Sequence, residues 1–176
     1  MSYSYARILA RKLRKKLNLA TPVDMESVMS ELGVLIKRLP EGETYGTLPK
    51  SVDAVFLPVR EEIAKNGLIL LKETDNKNRE RFTLAHELYH VLHAPKNPTC
   101  SFFHNTKDNK LLHRHEREAN IFASEFLMPA DEVRQAYASG IKGVSKLAEL
   151  FGVSKSAMEI RLKELFGEEI FTDPLS

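Results

Sequence analysis

The chain contains one cysteine, Cys100. A lone thiol cannot close an intramolecular disulfide, so a disulfide-stapled scaffold is excluded, and a free thiol suits a reducing compartment. Also missing is any apolar run of membrane-spanning length. The N-terminal "MSYSYARILARKLRKKLNL" carries charges where a signal peptide needs an unbroken apolar core. Together these absences give the expectation of a cytoplasmic protein. Nor does one sign of charge dominate: a formal net charge of +2 is too small to argue for nucleic acid. Neither internal repeats nor low-complexity segments occur. What is present is 176 residues, enough for one domain with a small appendage that buries about two-thirds of its unfolded surface.

The first helix carries Arg7, Arg11, Lys12, Arg14, Lys15 and Lys16 with no acid before Asp24. Ala6, Leu9, Ala10, Leu13 and Leu17 form the apolar stripe of an amphipathic helix, so the basic run reads as its solvated face. Thr21 and Pro22 open a second helix, which Gly33 closes. The period then changes. "VLIKRLP", "DAVFLPV" and "GLILLK" are short, apolar and bounded by Pro, Gly or Asn, and they predict a small antiparallel sheet between residues 34 and 72. Asp75, Asn76 or Asn78 is available to cap the helix that follows, and Pro95 stops it. After a polar loop, "LLHRHEREANIFASEFLM" predicts a second long helix ended by Pro129. Three shorter helices are expected over 130–139, 144–151 and 154–166. The division expected is a principal domain over 1–139, with helix-turn-helix-like C-terminal helices over 140–176 packed on it.

Chemistry concentrates in "RFTLAHELYHVLHAP", residues 81–95. Thr83, His86, Glu87, His90 and His93 share one helical stripe, and apolar residues cover the rest. Polar groups in a core helix need hydrogen bonds or a metal. His86 and His90, four residues apart, aim both imidazoles at one point and suit a tetrahedral Zn²⁺, while Glu87 lies beside that point without being a ligand. In such an HExxH arrangement zinc lowers the pKa of a water to roughly 7 and the adjacent carboxylate acts as general base. His93 occupies the glycine position of the extended pattern HExxHxxGxxH and Lys96 the third histidine position, which excludes that pattern. The next helix offers His113, His115, Glu116, Glu118 and Glu125 as a third ligand. Glu116 shares a face with Leu112, Ala119, Asn120, Ala123 and Leu127, whereas Glu118 and Glu125 project elsewhere. Spacing favours Glu116 over its rival His115, and Asn120, one turn on, is placed to orient a ligating histidine.

"FTLAHELYHVLH" followed by "EREANIFASEFLMP" resembles the ImmA/IrrE family of bacterial zinc metallopeptidases, which joins an HExxH helix to a second helix of the form ExxAN-x-FA-x-x-LMP. The likeness is close over residues 67–129 and looser on either side. It implies zinc on His86, His90 and Glu116, Glu87 as the catalytic carboxylate, and a thermolysin-like, or gluzincin-like, core. It also implies limited cleavage of a helix-turn-helix transcriptional repressor, an anti-repressor activity that releases phage, mobile-element or stress genes. Tyr89 departs from the family by standing where glycine is common. No histidine follows His115 to stabilise an oxyanion, and Tyr137 is the candidate substitute.

"LAELFGVSKSAMEIRLKEL" has the rhythm of a DNA-binding helix-turn-helix. However, Lys142, Lys146, Lys155, Arg161 and Lys163 face Glu149, Glu159 and Glu164, a basic excess too weak to support specific DNA binding. The sequence thus predicts an α+β fold with a small sheet packed on a zinc-binding helix pair and a helical C-terminal part. The expected function is zinc-dependent endopeptidase action on a protein, with no membrane partner. The alternative is a zinc-containing regulatory module that binds a repressor or DNA without cutting.

Overall fold

A computed structural model describes residues 4–40, 53–59, 62, 64–93 and 109–171. Cys100, Pro95 and most of the polar loop before the second long helix fall outside the described residues. The elements run α1 (Ser4–Lys16), α2 (Met25–Glu31), β1 (Leu35–Leu39), β2 (Ala54–Leu57), β3 (Leu68–Lys72), α3 (Lys77–His93), α4 (Asn109–Leu127), α5 (Ala130–Ala138), α6 (Val144–Phe151) and α7 (Lys155–Phe166), with a final 3-10 turn at Glu168–Phe171. The fold is α+β, as the change of hydrophobic period predicts. Two compact units divide it: Asp24–Asn120 is one, and Met1–Val23 with Ile121–Ser176 is the other.

In the sheet-bearing unit, α2 begins at Met25 and not at the Thr21–Pro22 pair. Asp24 is its cap, accepting from the backbone N–H of Glu26 and Ser27, which satisfies donors the first turn would otherwise leave bare. Gly33, at φ +67°, makes the left-handed exit. The strand order is β1-β3-β2. β2 pairs antiparallel with β3, but β1 pairs parallel with it, from Leu35 opposite Leu68 to Leu39 opposite Lys72. The sheet is therefore mixed. Ile69, Leu70 and Leu71 are all buried, so β3 takes the centre with β1 and β2 flanking it. β1 keeps Lys37 on an exposed position, as suits an edge.

The approach of β2 to β3 depends on Gly67. At φ +124° it adopts a backbone that side chains disfavour, and an added Cβ would lie 2.2 Å from the Phe56 ring. The start of α3 is fixed to the same sheet. Asn76 caps it by accepting from the Arg79 N–H at 3.0 Å, Arg79 meets Asp53 before β2 at 2.6 Å, and the buried Glu80 meets Arg38 of β1 at 2.7 Å.

In the helical unit the basic run of α1 is not merely a solvated face. Arg14 is buried and donates to the Phe126 carbonyl at 2.8 Å and to Glu132 at 2.6 Å; Arg11 donates to Glu125 at 2.7 Å, and Arg7 to Glu164. The lysines Lys12, Lys15 and Lys16 do stay exposed. Arg161 of α7 is about as deeply buried as Glu125, its ion-pair partner, and its Nε donates to the Met128 carbonyl at 2.9 Å. Gly152 at φ +62° and the Ser154 cap, accepting from the Ala157 N–H, form the turn between α6 and α7.

Two stability measurements follow. Arg161→Ala leaves the Glu125 carboxylate buried with the exposed Arg11 and the Ala130 backbone N–H as its partners, so urea denaturation should show a loss of about 3–5 kcal/mol; a loss no greater than that of a surface substitution would contradict the buried pair. For Glu80, burial raises the pKa but the Arg38 hydrogen bond and charge, with Lys77, outweigh it and hold the group below its ordinary 4.5. A depressed folded pKa means the stabilisation is present above the unfolded value and disappears as pH falls through the folded one. Denaturation at pH 7 and at pH 3 should therefore show a smaller acid-induced loss for Glu80→Gln than for the parent.

Candidate metal centre

His86 and His90 lie one turn apart on α3, so their rings point the same way. Their Nε2 atoms are 3.2 Å apart. From α4, the two carboxylate oxygens of Glu116 reach them: Oε2 is 3.2 Å from His86 Nε2 and Oε1 3.4 Å from His90 Nε2. Ligands about 2.0–2.1 Å from a tetrahedral ion stand roughly 3.3 Å from one another, so these separations suit a zinc-sized cation. Without a cation or proton between them, the lone pairs converging here would repel. Among the described residues this trio is the one group of three or more His, Cys, Asp or Glu whose ligand atoms could hold a metal ion.

Asn120 Oδ1 lies 2.9 Å from His86 Nδ1. An amide oxygen can only accept, so the proton sits on Nδ1, leaving the Nε2 lone pair aimed at Glu116 and His90. Burial lowers the His86 pKa, but the Glu116 hydrogen bond and the charges of Glu87 and Glu116 outweigh it and raise it overall. Burial, and repulsion from His86 whenever that ring is protonated, push His90 down to about 4, which favours the neutral imidazole that can ligate.

Glu87 is buried on the side of α3 next to the trio, outside the ligand group. Burial raises its pKa to about 7, with the Glu116 charge adding to the rise and the His86 charge and a hydrogen bond from the Phe56 backbone amide opposing it. That amide belongs to β2, an edge strand of the sheet. No sequence motif marks it: "DAVFLPV" reads only as a short apolar strand.

The remaining candidates are placed otherwise. His93 Nδ1 lies 2.8 Å from the Tyr89 carbonyl and its ring stacks on Tyr89. His115 Nδ1 is 4.0 Å from Glu118, and His115 is not a member of the ligand trio. Tyr137 packs against Phe166 with ring centroids 4.9 Å apart, and Lys142 Nζ lies over the Tyr137 ring, 5.2 Å from its centroid.

A helix bearing paired histidines, backed by a small sheet and completed by a carboxylate from the next helix, is the architecture of a metallopeptidase-like domain. The chain belongs to the IrrE N-terminal-like domain family (Peptidase_M78), whose model matches residues 29–163. A solved Mycobacterium tuberculosis transcriptional regulator shares the fold with a TM-score of 0.60 at 14% identity, over 90% of this chain and 46% of that one. The chain thus spans about half the length of that structure. No curated protein matches it. Among the described residues no helix is long and apolar enough to cross a membrane.

If the trio is the ligand set, metal-stripped protein should take up about one divalent ion per chain. Glu116→Ala should weaken uptake severely, Asn120→Ala by about 10-fold to 100-fold, and His115→Ala hardly at all. Parallel titrations against a competing chelator would rank them, and an empty site in His115→Ala beside a filled one in Glu116→Ala would reverse the assignment.

Proposed function

We propose that the protein is a zinc-dependent endopeptidase that makes a limited cut in a protein substrate, a helix-turn-helix transcriptional repressor. The observation that carries this reading is the position of Glu87, buried against the His86, His90 and Glu116 trio but not part of it. A purely structural metal site has no use for a buried carboxyl at that point. Zinc held there supplies Lewis acidity, polarising a carbonyl and making water a competent nucleophile near neutral pH.

The residues of the chain do the rest. Glu87 takes a proton from the attacking water at its carboxylate and returns it to the departing amide nitrogen. Asn120 holds His86 in one tautomer, and the buried His90 keeps bulk water from one side of the centre. The repressor as substrate and a cytoplasmic, anti-repressor role, including release of mobile-element genes, rest on the family and on the fold shared with a transcriptional regulator. Specific DNA binding forms no part of the proposal. Of the five basic residues between 142 and 163, Arg161 is buried on Glu125 and Lys163 meets Glu168 at 3.0 Å, so the remaining basic surface is small.

Incubation with the helix-turn-helix repressor encoded nearest to the gene, with and without chelator, tests the reading. The parent should cut it once or a few times, and Glu87→Gln should keep its metal while losing about 100-fold to 10,000-fold in rate. Undiminished cutting by Glu87→Gln would remove the mechanism. Binding of the repressor by the parent with no cutting under any condition would favour a non-cleaving regulatory module.

A further inference from the structure

Glu116 is less enclosed than the histidines it meets; its side chain is 43% exposed, against 17% for His86 and 6% for His90. Its aim depends on how α4 is rolled about its axis relative to α3. One restraint is the His86–Asn120 hydrogen bond, but α-helical geometry puts Asn120 only about 40° round α4 from Glu116, on the same side. Both contacts lie on one flank of the helix.

A third contact reaches the other side. Tyr89, buried on α3 between the site histidines, donates its hydroxyl to Glu118 Oε2 at 2.8 Å. Glu118 lies about 200° round α4 from Glu116. Its other oxygen is held by Arg114 Nε at 3.1 Å, one turn back on the same helix, so the carboxylate that meets Tyr89 is itself fixed to α4. The Tyr89 ring is fixed in turn, stacked on His93 with centroids 4.0 Å apart. A buried phenol requires a partner, and a carboxylate is the stronger kind.

We infer that Tyr89 and Glu118 are positioning residues: their hydrogen bond grips α4 on the flank opposite the metal centre and sets the roll that brings Glu116 onto His86 and His90. This rests on the metal-site reading above but not on any cleavage activity. It also gives a role to the tyrosine that replaces the family's common glycine, and to an acid that points away from the ligands.

The test is metal affinity measured by competition with a chromophoric chelator, alongside thermal unfolding of the metal-free protein. Tyr89→Phe keeps the ring and its stacking and removes only the donor. It should weaken zinc binding by about 10-fold, the lower end for outer partners of a metal ligand. Glu118→Ala should match it, and Glu118→Gln, whose amide oxygen still accepts from the phenol, should restore most of the affinity. Tyr89→Phe combined with Glu118→Ala should be no weaker than either alone, because both remove one bond. Parent affinity in Tyr89→Phe, or variants that lower the unfolding temperature while zinc affinity stays constant, would overturn the inference and assign the bond to stability alone. Failure of the metal site itself would look different: the parent would bind no zinc, or Glu116→Ala would bind it unchanged.

Discussion

Two imidazole nitrogens and a carboxylate crowd one point, and each presents lone pairs to the others. Such crowding is unfavourable unless positive charge sits among them. The sheet-bearing unit is organised around making it possible. The i, i+4 spacing on α3 supplies the two nitrogens, the cap at Asn76 and the ion pairs of Arg79 and Glu80 tie that helix to the sheet, and Asn120 chooses the tautomer. Even Gly67 takes part. Its missing side chain lets Phe56 lie against β3, and Phe56 offers its amide to Glu87.

The helical unit answers a different electrostatic demand. Arg161, Glu125 and Arg14 are taken out of water, which is costly unless each donor and acceptor is satisfied. Here they are shared: Glu125 receives both Arg161 and Arg11, while Arg161 also reaches the Met128 carbonyl and Glu164. α6 and α7 are two helices joined through Gly152 and Ser154, and the second turns its central arginine inward.

Local signals were the most legible. Gly152 and Ser154 mark the turn between α6 and α7, and α6 runs from Val144 to Phe151 as expected. The continuous apolar run at β3 carried the information that it is central, yet not which neighbour would run parallel. Thr21–Pro22 looked like a helix start, whereas Asp24, with its reach to Ser27, does the capping. The meeting of His86, His90 and Glu116 was readable because all three depend on helical periodicity and on one shared face. The partners of the α1 arginines were not, since nothing local distinguishes a solvated arginine from one awaiting a distant acid. Tyr89 and Glu118 escaped for a related reason: helical spacing correctly turns Glu118 away from the site, and only the length of two side chains brings them together.

The pairing of α1 has a consequence for how the chain is made. Its acidic partners stand 114, 118 and 157 positions downstream, at Glu125, Glu132 and Glu164, with all of Asp24–Asn120 between. During synthesis α1 therefore leaves the ribosome before any of them exists, and its apolar stripe and arginines wait in water. The sheet-bearing unit, whose segments are contiguous, can complete itself meanwhile. α1 is thus made well before the residues that pair with it, and contacts of such long sequence separation are the kind that form slowly.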